Sequence, residues 1–154
     1  MISRYSTWRA VRTSAAIRLR FKVALLEKIP LFEELSTKET HQIARLVTEI
    51  KVPAGTKLAK VGETGGELFA IVDGEAVVRT KPGRTTVLKA GDFFGEMSLI
   101  DGQPRSATVE ATTPSRLLVL DRRDFWHVLD GKTAIVRKVM QTLCRRLREA
   151  EEAG

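Results

Sequence analysis

The residues best equipped for chemistry lie in one stretch, FGEMSLIDGQPRSATV, from Phe94 to Val109. It sets one carboxylate, Glu96, and one guanidinium, Arg105, nine residues apart around a glycine-bearing turn. Gly95 removes the Cβ that would hold a ligand away from the backbone. Glu96 to Ile100 is long enough for one helical turn, and the first N–H groups of such a turn lack intrahelical partners and suit an anion. Arg105 would bring a full charge and a planar donor fork to the same anion, and Ser106 a hydroxyl and a further N–H. A carboxylate beside an anion is repulsive, so Glu96 has a place there only as an acceptor for hydroxyl groups. A ligand with a phosphate next to a ribose 2′-hydroxyl satisfies both demands. The ordinary alternative is a surface ion pair between Glu96 and Arg105, which contributes little.

Other chemistries find few residues to stand on. His41 and His127 are far apart on expected helices and read as structural or exposed. There is no His-x-His and no His/Cys/carboxylate cluster, so no metal site and no cofactor are expected. No serine or cysteine has a plausible histidine partner among the expected strands, so the chain reads as a non-enzyme. Trp8 and Trp126 read as core or interface residues. Cys144 is the one cysteine, which rules out an intrachain disulfide and fits a reducing, cytoplasmic setting.

The elements that must position the stretch follow from periodicity. The 154 residues suit a single domain, and 43% hydrophobic with 29% charged is ordinary globular composition without a membrane-length apolar run. Residues 1–29 read as a basic amphipathic helical arm, with Trp8, Val11, Ala15, Leu19, Val23 and Leu26 in one stripe and Pro30 ending it. Residues 1–28 carry seven basic side chains and one acidic, whereas the rest of the chain carries 19 and 18, so the net +7 sits almost wholly in the arm. Ser36-Thr37-Lys38-Glu39 is a capping box opening a second helix to about Thr48. Turn signals then recur at Pro53–Gly55, Gly62–Gly66, Asp73-Gly74, Pro82-Gly83, Gly91, Gly102–Pro104 and Pro114-Ser115. Their spacing, mostly about eight to twelve residues, is the rhythm of an all-β sandwich or barrel. Asp73-Gly74, between ELFAIV and EAVVRT, is the strongest hairpin signal. TTVLKA, SATVEA and RLLVLD fill further strand slots. Helical pattern returns in DRRDFWHVL and in KTAIVRKVMQTLCRRLREAEE, the latter with Val136, Val139, Leu143 and Leu147 in line. The expected class is mainly β with flanking helices: a jelly-roll-like barrel of eight strands at about 49–121, N-terminal helices, and C-terminal helices at about 122–152.

In that context the stretch resembles the phosphate-binding cassette of the cyclic nucleotide-binding domain family. Phe94-Gly95-Glu96-Met97-Ser98-Leu99 and Pro104-Arg105-Ser106-Ala107-Thr108-Val109 match the family pattern without a gap. LFAIVDGEAVV, AGDFFGE and LLVLDRRDF extend the likeness over roughly residues 30 to 148. The resemblance implies that Glu96 and the Gly95 backbone hold the ribose 2′-hydroxyl. It implies that Arg105 binds the exocyclic phosphate oxygens while the amides of Met97, Ser98 and Ser106 cradle the same phosphate. Thr86 and Leu88 share a face of their strand and are candidates for the base side. In this family a base lid usually comes from the last helix, where Leu143, Arg145 and Arg146 are the candidates.

The function this implies is a non-catalytic sensor of cyclic AMP, with cyclic GMP possible, that signals through its C-terminal helix to an unidentified effector. No helix-turn-helix, kinase motif or membrane span is visible, so the output is expected to pass to another molecule. Two alternatives remain: an interaction module that kept the fold and lost the ligand, and a cytosolic fragment of a regulated channel or transporter, against which the starting Met1 counts. The basic arm reads as a helix docked on the barrel or a second chain, as a contact for membrane head groups or an acidic partner, or as a transit peptide.

Overall fold

The computed structural model describes residues 9–10, 18–80 and 83–153. The chain forms two compact units, one of residues 47–122 with the N-terminal strand, the other of residues 18–46 and 123–154.

The first unit is the β structure. It contains β1 (Arg9–Ala10), β2 (Thr48–Val52), β3 (Lys57–Ala59), β4 (Leu68–Asp73), β5 (Ala76–Thr80), β6 (Thr85–Leu88), β7 (Phe93–Phe94), β8 (Ala107–Ala111) and β9 (Ser115–Leu120), with one short helix, α3 (Glu96–Asp101). All pairs are antiparallel, in a sheet ordered β1-β2-β9-β4-β7 and a sheet ordered β3-β8-β5-β6. Alternation along each strand supplies the core between them. Ile50 and Val52, Phe69 and Ile71, Leu117 and Val119 from one sheet pack with Leu58, Ala76, Val109 and Ala111 from the other. The intervening Leu68, Ala70, Leu118 and Leu120 are buried as well. This explains why β4 and β9 read as unbroken apolar runs instead of alternating ones. The expected mainly β, jelly-roll-like fold is the one observed, with nine strands among the described residues.

The Asp73-Gly74 turn does not close a hairpin. Both edges of β4 are taken, by β9 and β7, so β5 has no place beside it and pairs with β6 and β8 in the other sheet. The turn instead carries the chain from one sheet to the other. Gly74, at φ 104°, presses so closely on Ser115 that an added Cβ would stand 2.2 Å from Oγ. The hairpin of this region is β5–β6, closed by the segment that holds Gly83.

The second unit contains α1 (Leu19–Glu27), a 3-10 turn (Pro30–Phe32), α2 (Thr37–Ala44), most of α4 (Arg122–Leu129) and α5 (Thr133–Ala153). Leu26, Ile29, Leu31, Phe32, Ile43 and Phe125 are its largest buried side chains, and the Phe32 and Phe125 rings lie 5.9 Å apart. The capping box is present in both directions: Glu39 N donates to Ser36 Oγ and Ser36 N to Glu39 Oε1. Lys138 Nζ on α5 reaches the same carboxylate at 2.6 Å.

Three expectations about helices change. The arm is not one helix: Arg9–Ala10 pairs with Lys51 and Ile50 of β2, satisfying the edge of that strand, and α1 begins only at Leu19. Trp8, Val11 and Ala15, half of the expected stripe, lie outside the described residues. The helix from Ser36 stops at Ala44, because Thr48 is already paired with Val119 of β9. On α5 the buried face is Ile135, Val139 and Thr142, not the line through Val136, Leu143 and Leu147. Thr142 tolerates burial because its hydroxyl donates to Lys138 O at 3.1 Å, and Leu147 is left 64% exposed.

Candidate functional site

The cassette residues meet in one cavity of the β unit, about 300 Å³ in volume. Its apolar wall is Ala59, Val78, Phe94, Ala107 and Val109, and its other side is Gly95, Glu96, Met97, Ser98, Arg105 and Ser106. That size is at the lower end for pockets that hold small organic ligands.

Local structure explains how α3 presents its residues. Gly95 is the N-cap of α3 at φ 89°, a left-handed conformation that side chains with a Cβ rarely adopt. The first intrahelical bond is Leu99 N to Gly95 O, at 3.2 Å, so the amides of Met97 and Ser98 precede the helix ladder and stand at its positive end. Leu99, fully buried, anchors the helix from below, while Met97 is 56% exposed. Glu96 is buried, on the cavity side of the first turn.

Arg105 is held by partners distant in sequence. Its backbone N donates to Glu63 O at 2.9 Å and its O accepts from Gly62 N at 2.8 Å, so the loop before β4 is pinned to the cassette. Its Nη2 donates to Glu67 O at 2.9 Å and lies 3.8 Å from Glu67 Oε2. The guanidinium sits 6.0 Å from the Phe69 ring centre, within cation–π reach. Two glycines clear its path: a Cβ on Gly65 would meet Arg105 Nε at 2.5 Å, and one on Gly95 would meet Nη1 at 2.8 Å and Glu67 O at 2.3 Å. The guanidinium is thereby buried and fixed at the border of the cavity.

Of the residues read from the sequence, the structure therefore brings together Gly95, Glu96, Met97, Ser98, Arg105 and Ser106. It does not bring Thr86 and Leu88 into the cavity wall. They lie on β6, at the margin of the four-stranded sheet, opposite Val78 and Ala76, and it is Val78, one strand further in, that lines the cavity. Leu88 packs on the sandwich core instead. Leu143, Arg145 and Arg146 lie on α5 in the other unit. There Arg145 pairs with Glu33, with Glu34 at 2.6 Å and with Glu149 at 3.9 Å. Arg146 borders a polar hollow with Pro30, Glu33 and Glu149.

Sequence reasoning missed Glu67, Phe69 and Gly65, which hold the guanidinium, and the apolar wall from β3, β5 and β8. The only local signal was Gly65-Gly66-Glu67 before a buried strand, which reads as a turn until the chain is folded.

Comparison with known proteins bears on this arrangement. The model of the family described as cyclic nucleotide-binding domain matches residues 49–132, from β2 through α4, and so encloses every residue of the cavity. The chain belongs to the cyclic nucleotide-binding domain family. A cyclic nucleotide-gated potassium channel of Rhizobium etli is 39% identical over 122 residues, covering 79% of this chain and 34% of the channel. A cAMP-dependent protein kinase regulatory subunit of Emericella nidulans is 34% identical over 139 residues, 89% of this chain and 34% of that subunit. The chain thus spans about a third of the length of these relatives. Among solved structures, the N-terminal domain of a transcriptional regulator from Streptomyces coelicolor A3(2) matches with a TM-score of 0.75 at 29% identity, over 84% of this chain and 96% of that one. A cyclic nucleotide-binding domain from Methylobacillus flagellatus matches with a TM-score of 0.66 at 30% identity, over 88% and 81%. Members of the family therefore occur joined to quite different outputs. Among the described residues, no helix is long and apolar enough to cross a membrane, and no cluster of His, Cys, Asp or Glu could hold a metal ion.

Proposed function

We propose that this chain binds cyclic AMP in the α3 cavity, without transforming it, and passes the occupancy of that cavity to an effector through α5. The observation that carries the reading is the convergence of Gly95, Glu96, Arg105 and Ser106 on one cavity. Arg105 binds the cyclic phosphate, with the amides of Met97, Ser98 and Ser106, and Glu96 accepts from the ribose 2′-hydroxyl. The apolar wall of Val78 and Val109 receives the sugar and the base. The relation to regulatory subunits of a cAMP-dependent kinase supports cyclic AMP as the ligand. Ser106 offers a hydroxyl next to the arginine, so cyclic GMP is the competitor to test, with an expected preference for cyclic AMP of about tenfold, or roughly 1.4 kcal/mol.

For the output, α5 presents Val136, Met140, Cys144 and their neighbours along a largely apolar outer face. Such a face gives a lid something to place over a base, and Leu143 and Arg146 remain its candidate contacts. Arg145 is the weaker candidate, because Glu33 and Glu34 already bind it. The basic residues of 1–28 form a contact for an acidic partner or an anionic membrane surface. A second reading, in which the domain is the ligand-binding part of a cation channel in the cytoplasm, is favoured by the 39% identity to the Rhizobium channel.

Calorimetric titration of the parent and of Ser106→Ala with both nucleotides tests the ligand. Tighter cyclic GMP binding in the parent, lost in Ser106→Ala, overturns the cyclic AMP assignment. Binding of neither nucleotide overturns the sensor reading and leaves an interaction module.

A further inference from the structure

Gly65 and Gly66 stand side by side before β4, and each makes room for a different arginine. A Cβ on Gly65 would meet Arg105, whereas one on Gly66 would stand 2.7 Å from Arg122 Cβ and 3.0 Å from its Cδ. From there the Arg122 side chain runs to the C-terminal end of α3. A Cβ on Gly102, the residue that closes that helix at φ 63°, would stand 3.0 Å from Arg122 Nε and 3.1 Å from its Cζ. Nη2 donates to Ile100 O at 3.4 Å, a long hydrogen bond to one of the last carbonyls of the helix. Pro104, four residues on from Ile100, has no N–H to offer that oxygen. The stem thus lies on the loop that holds Arg105 and the head on the end of α3, so one side chain touches both supports of the cavity. Arg122 is also the last residue of the β unit and the first of α4, the helix that precedes α5.

We infer that Arg122 is the positioning residue through which α3, on receiving the nucleotide, moves the first turn of α4. The inference rests on the reading that the nucleotide phosphate meets the N-terminal end of α3. Glu96–Asp101 is a rod about 9 Å long and moves as one piece. A shift at Met97 and Ser98, where the phosphate is held, therefore reappears at Ile100 and Gly102, where the guanidinium rests. Coupling of this kind is carried by a rigid element with a contact at each end, and Arg122 supplies the second contact. Arg123, the next residue, carries the same charge but is exposed, so charge at the start of α4 does not by itself make the link. What makes it is the slot between Gly66 and Gly102, which only a chain without Cβ atoms at both places leaves open.

The test uses Arg122→Met, which keeps an unbranched stem beside Gly66 and removes the donor to Ile100 O. The amides of Leu99 and Gly102 bond to Gly95 O and Ser98 O. In the ligand-free variant they exchange hydrogen faster than in the parent, on the order of threefold to tenfold. The variant binds cyclic AMP nearly as the parent does in calorimetric titration, because no residue of the cavity wall has changed. In the parent, exchange at the amides of 123–129 changes when cyclic AMP saturates the protein; in Arg122→Met, also at saturation, that response is lost. A side chain that served only the fold would lower the melting temperature and leave the response in place. Arg123→Met, the same loss of charge one residue on, keeps it. Where Arg122→Met fails to fold, Gly102→Ala acts from the other side, since its Cβ pushes the guanidinium off the helix end while Arg122 stays. A response in α4 that persists undiminished in either variant, or is absent from the parent, overturns the inference, and so does its loss in Arg123→Met. A parent that binds neither nucleotide sinks the nucleotide reading instead. The ligand-free exchange at Leu99 and Gly102 then judges the clasp on α3, which is overturned if Arg122→Met exchanges like the parent.

Discussion

Gly95→Ala separates two effects that usually arrive together, backbone strain and steric exclusion. Gly95 has φ +89°, and a Cβ there would stand 2.3 Å from Glu67 O and 2.8 Å from Arg105 Nη1. Gly55 has the same φ, +89°, with nothing within 4 Å of its added Cβ. Gly55→Ala therefore measures the strain alone, about 1–2 kcal/mol for a left-handed alanine. Gly95→Ala adds the displacement of a backbone carbonyl and of the guanidinium that hydrogen-bonds to it. Overpacking of that kind costs about 1–3 kcal/mol, which brings the total to roughly 2–5 kcal/mol. At about 2–4 °C per kcal/mol for a chain of this size, Gly55→Ala melts several degrees below the parent and Gly95→Ala about twice as far. The two also part in function. Gly55→Ala binds cyclic nucleotide as the parent does, whereas Gly95→Ala loses affinity because Arg105 Nη1 must move away from the cavity. The assay is thermal melting by circular dichroism for the fold and calorimetric titration for binding, on all three proteins. A Gly95→Ala variant that melts with Gly55→Ala and binds like the parent refutes the idea that close approach of the Glu67 carbonyl and the Arg105 guanidinium fixes this glycine.

Other outcomes follow from the same geometry. The Lys138 ammonium, with the backbone N–H of Ser36, holds the Glu39 carboxyl below its ordinary value near 4.5. Because the folded value is the lower one, the contribution is complete above that ordinary value and is lost as pH falls below it through the folded value. Glu39→Gln, which can keep the capping box, should leave a shallower loss of stability below pH 4.5 in urea titrations. Ser36→Ala removes the cap of α2 and should cost about 1 kcal/mol, visible as a melting temperature lower by about 2–4 °C. Hydrogen exchange along α5 should slow between Val136 and Leu147 when cyclic nucleotide saturates the protein, and unchanged exchange there would remove α5 as the output.

Much of the site was legible in the order of residues because its polar members lie on one short loop–helix–loop. Gly95, Glu96, Met97 and Ser98 are consecutive, and Arg105 and Ser106 follow within ten residues. The capping box at Ser36 and the strands from Leu68 to Leu120 were legible for a similar reason: hydrogen bonds to the third residue and alternation of period two are local rules.

What the sequence by itself determined was the class of fold, the family and the polar half of the cavity, all governed by neighbours along the chain. Tertiary structure alone decided the rest. It sent β5 into the second sheet, because β9 and β7 had filled both edges of β4, and no propensity of Asp73-Gly74 registers that occupancy. It put the four-stranded sheet's Val78 in the wall in place of Thr86 and Leu88, since that depends on which strand lies inside the sheet. It turned α5 so that Ile135, Val139 and Thr142 are covered, a choice among apolar stripes that the helix offers almost equally. And it brought Glu67 to Arg105 across 38 positions. Charge compensation in a buried site acts through space over a few ångströms, and separation along the chain carries no record of it.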